Sequence, residues 1–151
     1  MAGYWCKNGL KHKCPAGSYG SRTQLSDSRC DGLCLPGYYC SEGSTSERQF
    51  PCGNRTVYCP VGSSYPIPVQ KGYYSLNSSL IQHGDYNMRD GTMSWEMRCE
   101  EGYYCHSGMK FPCPEGTFGN ERGSSQESSC LNCRRGMYEL EHFLYSIFHS
   151  I

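Results

Sequence analysis

The apolar positions of this chain follow a short motif in which a glycine precedes two aromatic residues and polar residues follow. The motif is complete at Gly37-Tyr38-Tyr39 and at Gly102-Tyr103-Tyr104, where two cysteines six positions apart enclose it. Further copies stand at Gly3-Tyr4-Trp5 and Gly72-Tyr73-Tyr74, and a decayed copy stands at Gly136-Met137-Tyr138. Because successive strand residues point to opposite faces, each aromatic pair predicts a short strand with one ring over a neighbouring disulfide and the other toward solvent.

The motif recurs at a nearly fixed period. Its glycines lie at positions 3, 37, 72, 102 and 136, which gives steps of 34, 35, 30 and 34 residues. A period of this length indicates a repeat array. An offset of 99 residues also maps residues of the first copy onto identical residues of the last. Among them are Tyr4, Cys6, Gly9, Cys14, Pro15, Gly17, Gly20, Cys34 and Gly37.

Aliphatic residues are too few for a large apolar core. Leu, Ile, Val and Phe together number 21 of 151 residues, and six of them lie in the last twelve positions. A share below about one fifth is too small for such a core, and the balanced charge is not typical of disorder. The 12 cysteines indicate small modules held together by disulfides instead. We therefore predict a small disulfide-rich fold of tandem cysteine-rich modules, built from short β-hairpins and loops in an elongated array.

The cysteine spacing divides the chain into five segments. Residues 1–33 form a truncated cysteine-rich repeat, and residues 34–71 form a variant repeat. The cysteine-free stretch 72–98 is a linker or a degenerate repeat, and residues 99–138 form a further cysteine-rich repeat. Residues 139–151 leave the pattern and form an amphipathic tail.

The tail is predicted to be a short C-terminal helix. Its apolar residues follow i, i+3, i+4, i+7 spacing, which is typical of an amphipathic helix. They are Leu140, Phe143, Leu144, Ile147, Phe148 and Ile151. About three turns are too few to span a membrane.

Two pairings of the cysteines fit the spacing. Nearest pairing joins Cys14–Cys30, Cys34–Cys40, Cys52–Cys59, Cys99–Cys105 and Cys113–Cys130. Interlocked pairing joins Cys34–Cys52, Cys40–Cys59, Cys99–Cys113 and Cys105–Cys130 instead. We favour nearest pairing because it keeps every loop short. It leaves Cys6 and Cys133 unpaired, and Glu139 stands where the partner of Cys133 is expected.

The cysteine usage implies an oxidising compartment, so we expect an extracellular or cell-surface location. The first residues have neither a basic start nor an apolar run, so they are not a signal peptide. The repeat pattern places a cysteine at position 0, and we expect the chain to begin inside a repeat. No apolar run approaches the roughly 18 residues of a transmembrane helix.

Charge and metal motifs exclude several functions. The 14 basic residues balance the 14 acidic ones without a basic cluster, which argues against nucleic-acid binding. The pairs Cys30/Cys34 and Cys130/Cys133 have zinc or redox spacing, but His12, His83 and His106 do not complete a Cys₂His₂ rhythm. A calcium loop at 85–91 with Glu96 has its glycine one position late and an arginine at a ligand position. We expect no metal and no cofactor.

No catalytic arrangement is evident. The chain has no Ser–His–acid set and no paired carboxylates in an apolar setting, so we do not expect an enzyme. Asn54 and Asn77 each begin an Asn-x-Ser/Thr tripeptide and are candidate glycosylation sites.

The order Cys-Pro-x-Gly-[Ser/Thr]-[Tyr/Phe]-Gly, a polar loop and Cys-x2–3-Cys-x2-Gly-Tyr-Tyr-Cys resembles the ephrin type-A/B receptor-like cysteine-rich repeat. The resemblance covers residues 1–138 except for 75–94. It implies tandem extracellular modules in large surface or secreted proteins, without kinase activity. Glu139 and the tail depart from the pattern.

These observations predict a structural or adhesive segment of an extracellular cysteine-rich repeat protein. Its expected partners are neighbouring repeats of the same protein and other surface proteins or glycans. The alternative is a ligand-binding segment of a receptor ectodomain, in which exposed tyrosines form a protein-binding face. A third reading is an intracellular metal or redox protein or an enzyme fragment, which bound zinc in a reduced sample would favour.

Overall fold

The computed structural model describes residues 1–77, 91–134, 137–140 and 143–146, with side chains described up to residue 134. Sixteen short strands in these residues pair in chain order as eight two-stranded sheets, which we call hairpins 1 to 8. Their strands are β1 Tyr4–Lys7, β2 Leu10–Lys13, β3 Ser18–Tyr19, β4 Gly32–Leu33, β5 Tyr38–Tyr39, β6 Phe50–Pro51, β7 Val57–Tyr58, β8 Ile67–Pro68, β9 Tyr73–Leu76, β10 Trp95–Arg98, β11 Tyr103–His106, β12 Met109–Pro112, β13 Thr117–Phe118, β14 Leu131–Asn132, β15 Met137–Leu140 and β16 Phe143–Ser146.

Most successive hairpins are joined by a Cys-x-x-Gly segment, in which the two residues after the cysteine, the glycine and the residue after it form a four-residue turn. In the turn before hairpin 2, the N–H of Ser18 donates to the carbonyl of Pro15 at 3.1 Å, and Gly17 has a φ of 85°. A positive φ at the third position is what a type II turn needs, and glycine adopts it without a steric cost. A glycine at this position therefore turns the chain into most of the hairpins.

Hairpins 1 and 6 are closed by two-residue tips. In hairpin 1 the tip is Asn8-Gly9, with φ of 52° and 75°, and in hairpin 6 it is Ser107-Gly108, with φ of 52° and 73°. Two positive φ values in a two-residue loop are the requirement of a type I′ turn, whose twist matches that of antiparallel strands. Both hairpins have four-residue strands in regular antiparallel register.

Backbone hydrogen bonds of one recurring type connect consecutive hairpins. The N–H of a turn glycine donates to the carbonyl that follows the first strand of the next hairpin. Gly17 donates to Cys40 and Gly37 to Cys59, each at 2.8 Å. In the second half of the chain, Gly102 donates to Gly119 at 2.8 Å. These bonds satisfy backbone groups that would otherwise be left without a partner beside the disulfides.

Disulfide-bonded cysteines make up most of the buried apolar residues. Of the ten buried apolar residues in the part of the chain with described side chains, eight are cysteines, and the others are Tyr74 and Met93. The predicted fold class is thus confirmed as small and disulfide-rich, with tandem short hairpins. Each step of about 34 residues contains two hairpins, except the step from Gly72 to Gly102, which contains hairpin 5 alone.

The chain separates into two compact units. The first comprises Met1–Val69 with Ser75–Glu96, and the second comprises Gln70–Tyr74 with Met97–Ile151. Hairpins 1 to 4 belong to the first unit and hairpins 6 to 8 to the second, whereas both strands of hairpin 5 contribute residues to each.

The predicted C-terminal helix is wrong for the described part of the tail. Met137–Leu140 and Phe143–Ser146 pair as antiparallel strands, with Tyr138 opposite Tyr145. An isolated helix of three turns is marginal, and aromatic residues fit strands well, so the helical spacing of this short run was not decisive. Helical geometry among the described residues is limited to a 3₁₀ turn at Glu127–Ser129, and residues 147–151 lie outside the description.

Candidate functional site

Ten of the twelve cysteines form five disulfides. The Cα atoms of the bonded cysteines lie 5.7 to 6.2 Å apart, within the normal range for disulfides. The pairs are those of the nearest scheme, namely Cys14–Cys30, Cys34–Cys40, Cys52–Cys59, Cys99–Cys105 and Cys113–Cys130.

Four of the five disulfides have one of two forms that differ in what they enclose, and the fifth, Cys52–Cys59, encloses the turn before hairpin 4. The short form joins the cysteine three residues before a turn glycine to the cysteine three residues after it, as in Cys34–Cys40 around Gly37. The long form joins the same first position to a cysteine in the hairpin loop, as in Cys14–Cys30, which are 16 positions apart. The short form fixes the entry into a hairpin, whereas the long form fixes a polar loop that has no other buried cross-link.

Cys6 and Cys133 are not bonded to another described cysteine. Cys6 is exposed and Cys133 is half-buried. Cys133 occupies the position that Cys99 has in hairpin 6, and Glu139 occupies the position of the partner Cys105.

The cysteine pairs with zinc-like or redox-like spacing are engaged elsewhere. Cys130 is bonded to Cys113 rather than to Cys133, and Cys30 and Cys34 belong to different disulfides. No group of three or more His, Cys, Asp or Glu side chains among the described residues is placed to hold a metal ion. His83 and the acidic residues of the calcium-like loop at 85–90 lie outside the described residues.

Two of the remaining histidines belong to aromatic stacks on hairpins 1 and 6. His12 stacks on Trp5 with ring centroids 4.6 Å apart, and His106 stacks on Phe111 at 4.7 Å. Trp5 and His12 are cross-strand neighbours, so the stack covers one face of hairpin 1.

Hairpin 5 has no disulfide, and other residues occupy the two bridge positions around Gly72. These positions hold Val69 and Ser75, and Ser75 is only 2% exposed. The hydroxyl of Ser75 donates to the carbonyl of Arg55 at 2.8 Å, so this buried polar atom is satisfied.

Lys110, which lies near two tyrosine rings, is the most buried charged residue among the described side chains of the second unit. The Nζ of Lys110 lies 4.6 Å from the ring centroid of Tyr103 and 4.9 Å from that of Tyr74. It donates to the carboxylate of Glu100 at 2.6 Å, and the hydroxyl of Tyr74 donates to the other oxygen of that carboxylate at 3.0 Å. We call these four residues the Lys110 cluster.

Burial and charge shift the pKa values of the two acids of this cluster, Tyr74 and Glu100, in opposite directions. Burial raises the pKa of Tyr74, and the carboxylate of Glu100 adds to the rise, while the charge of Lys110 opposes it. Burial also favours the neutral form of Glu100, but the hydrogen bonds from Lys110 and Tyr74 outweigh it and hold the pKa below its usual value. The cluster is therefore a charged pair that is satisfied by hydrogen bonds and by ring faces.

We expect Lys110→Met to destabilise the second unit by about 1–2 kcal/mol, because the lysine loses both ring contacts and its ion pair. Lys11→Met is the matched control, since Lys11 also lies over a tyrosine ring but is exposed, and it is expected to cost less than about 1 kcal/mol. Because the pKa of Glu100 is lowered on folding, this contribution is present above the ordinary pKa and is lost as the pH falls through the folded-state value. Urea denaturation of both variants at pH 7 and pH 3 measures the difference; equal losses for both would contradict the structural role of the cluster.

The loop of hairpin 2 is organised by one carboxylate. Asp31 accepts hydrogen bonds from the N–H of Arg22 at 3.0 Å and from the N–H of Ser21 at 2.7 Å, and it also pairs with the Arg22 guanidinium. The backbone hydrogen bond from Arg22 is the main reason that the pKa of Asp31 falls to about 2, with the side chains of Arg22 and Ser21 adding to the effect.

The two candidate glycosylation sites differ in accessibility. Asn54 is exposed, and its Oδ1 accepts from the N–H of Thr56 at 3.0 Å and from the Thr56 hydroxyl at 2.5 Å. Asn77 is only 5% exposed, and its Nδ2 donates to the hydroxyl of Thr92 at 2.6 Å. A glycan on Asn77 would replace a hydrogen on that buried nitrogen, so the folded chain favours Asn54.

Comparison with known proteins adds a cysteine-repeat relative. No family model matches the chain. The chain is similar to Cysteine repeat modular protein A of Toxoplasma gondii, with 32% identity over 158 aligned positions that cover 83% of this chain and 4% of that protein. This chain thus spans about 4% of the length of that relative. The cysteine-rich repeats of this chain agree with the name of the relative. Among the described residues, no helix has the length and apolar character needed to cross a membrane.

Proposed function

We propose that this chain is an extracellular structural or adhesive segment of a larger surface or secreted protein, and that it has no catalytic activity. The observation that carries the proposal is the identity of the buried residues: eight of the ten buried apolar residues with described side chains are cysteines, and all eight are disulfide-bonded. Such a chain keeps its structure only where thiols oxidise and stay oxidised. The ephrin receptor-like assignment of the repeat remains a prediction.

The connections between hairpins support a mechanical role. The recurring backbone bonds of the turn glycines join hairpins 1 to 4 in sequence and join hairpin 6 to hairpin 7, so these neighbouring modules hold each other in place as in other repeat proteins. The long polar loops, such as the one organised by Asp31, then present surface without having to form a core.

The number of free thiols tests the proposal directly. The chain is produced through a secretory pathway without reductant, and intact mass and peptide mapping are compared before and after reduction and alkylation. We expect five bridges and two reactive thiols, on Cys6 and Cys133. Twelve reactive thiols in the secreted protein would contradict the proposal.

Glycosylation gives a second test of the same compartment. In a eukaryotic secretory host, Asn54→Gln is expected to remove a glycosidase-sensitive mass shift, because Asn54 is exposed whereas Asn77 is buried. Asn77→Gln is the matched control and is expected to leave the shift unchanged. Loss of the shift in Asn77→Gln alone would contradict the accessibility seen in the fold.

The alternative, ligand binding in a receptor ectodomain, is favoured by apolar side chains on the surface of the first unit. Val61 is 57% exposed, Tyr65 is 66% exposed, and Leu33 is 59% exposed and lies close to Gly62. Exposed aliphatic and aromatic residues that lie close together are typical of protein-binding surfaces. Retention of a cell-surface partner by the secreted chain, and its loss in Tyr65→Ser, would favour this alternative over a purely structural role.

A further inference from the structure

Hairpins 1 and 6 occupy equivalent positions that lie 99 residues apart in the sequence. They share one local feature that is unusual for a protein surface. In hairpin 6, Lys110 lies over the ring of Tyr103, and in hairpin 1, Lys11 lies over the ring of Tyr4 at 4.5 Å. In both hairpins the strands have the same register and end in a type I′ tip. The two hairpins therefore present the same face, made of a lysine, a tyrosine ring and the glycine of the tip.

In hairpin 6 this face is covered by the hairpin that precedes it. Tyr74 of hairpin 5 places its ring against Lys110, whose Nζ thus lies near the rings of both Tyr74 and Tyr103. The backbone of Tyr74 also forms a parallel β-bridge with Gly108 of the hairpin tip. As a result Gly108 is buried, and the side chain of Lys110 is 18% exposed.

In hairpin 1 the same positions are open. Gly9, Leu10 and Lys11 are all exposed, and Leu10 is 63% exposed. A Cβ added to Gly9 would meet no described atom within 4 Å. The lysine, the tyrosine ring and the tip glycine that contact Tyr74 in hairpin 6 are thus already in place in hairpin 1 and are uncovered, whereas Met1 replaces the Glu100 that accepts from the Tyr74 hydroxyl.

We propose that the face of hairpin 1 formed by Tyr4, Gly9 and Lys11 is a docking surface for a Gly-Tyr-Tyr hairpin of another cysteine-rich repeat segment. The second tyrosine of that hairpin lays its ring on Lys11, and its backbone bridges to Gly9, as Tyr74 does in hairpin 6. The inference rests on the proposed function, because only a protein with further repeats would supply such a hairpin.

Two observations identify the occupant as a repeat hairpin rather than an unrelated apolar group. The face offers an exposed backbone edge beside a cation over a ring, and a strand that carries a tyrosine satisfies both features. The same bridging mode also occurs inside the first unit, where Trp5 of hairpin 1 forms a parallel bridge with Leu25 of hairpin 2. Met1 stands at the position of Glu100, so the docked lysine would be held by rings without the ion pair.

The test adds the occupant to the full chain in the native register. Residues 69–98 and one added serine are fused directly ahead of Met1. The serine stands where Cys99 stands in the native chain, so the fusion reproduces the spacing between hairpins 5 and 6. The oxidised proteins with and without the extension are treated with an amine-reactive reagent, and peptide mass spectrometry gives the modification rate of each lysine. We expect Lys11 to react at least about tenfold more slowly in the extended chain, as for a docked state populated ten to one.

The controls separate docking from other causes. Lys7 should react at an unchanged rate, since its equivalent His106 is exposed in hairpin 6. Tyr74→Ala in the extension should restore the rate of Lys11, and Tyr74→Phe should keep it slow. Equal Lys11 rates with and without the extension, in protein whose five disulfides have formed, would overturn the docking surface while leaving the proposed function intact. Absence of the disulfides would instead overturn the proposed function. If the unextended chain self-associates and its Lys11 reacts slowly for that reason, a second copy of the chain is the occupant, and the assignment of the occupant to another repeat segment is overturned.

Discussion

Reduction of the five disulfides is expected to unfold the hairpins, even in buffer without denaturant. In the chain-entropy model, a bridge between positions 6 or 7 apart contributes about 2 kcal/mol, and one between positions 16 or 17 apart contributes about 3 kcal/mol. Their sum is comparable to the whole stability of a small domain, which is about 5–15 kcal/mol. Amide hydrogen exchange with and without a phosphine reductant measures the effect, and the N–H groups of Cys14 and Cys34, which close hairpins 1 and 2, should lose their protection.

The unpaired cysteines provide the matched control for this expectation. Replacing Cys6 and Cys133 by serine should change the free energy of unfolding by less than about 0.5 kcal/mol, because neither belongs to a bridge. The double variant Cys99→Ser with Cys105→Ser should lose about 2 kcal/mol, since both cysteines are fully buried around the turn of hairpin 6. Persistence of full amide protection after complete reduction would show that hairpin packing alone suffices, contrary to the argument from the core.

Gly17→Ala is expected to be among the most destabilising single substitutions in the first unit, at about 3 kcal/mol or more. Gly17 is buried with a φ of 85°, and an added Cβ would overlap the carbonyl oxygen of Gly62, which is a backbone atom and cannot rotate away. The positive φ alone costs an alanine about 1–2 kcal/mol, and the overlap must be relieved by moving hairpin 4 from hairpin 2. Urea denaturation of the variant measures the loss.

Gly116→Ala separates the conformational cost from the packing cost. Gly116 is the equivalent residue in hairpin 7, with a φ of 79°, but an added Cβ would meet no described atom within 4 Å. This variant should therefore lose only about 1–2 kcal/mol. Equal losses at Gly17 and Gly116 would mean that the close approach of alternate hairpins does not contribute to stability.

The hairpins were largely predictable because their signals are local. A glycine before two aromatic residues announces a type II turn followed by a strand, and this holds at Gly37 and Gly102 as it does at Gly72, where the cysteines are missing. The Asn8-Gly9 tip is a similarly local signal. The period of about 34 residues, however, marks only every second hairpin in most steps. The intervening turns at Gly17 and Gly116 lack the tyrosine pair that marks the others.

The tail and the Lys110 cluster show what local reasoning misses. In the tail, spacing that suits a helix also suited two short strands, and the pairing of Met137–Leu140 with Phe143–Ser146 selected the strands. In the Lys110 cluster, Tyr74 and Lys110 are far apart in sequence, and neither lies in a charged or apolar run that would single it out. The signal that could have found the cluster is the repeated Tyr–Lys pair at the 99-residue offset, Tyr4 with Lys11 and Tyr103 with Lys110.

The amino-acid sequence by itself determined where this chain turns, where its short strands begin and that cross-links replace an apolar core, because glycine conformation and cysteine content act within a few residues. Tertiary structure alone decided how the hairpins meet. The approach of Gly17 to Gly62 and the placement of Tyr74 on Lys110 depend on backbone atoms from hairpins distant in sequence, whose positions follow from all the intervening turns and bridges. The same dependence explains why an identical face is covered in hairpin 6 and open in hairpin 1: the residues of the face are alike, and the neighbour differs.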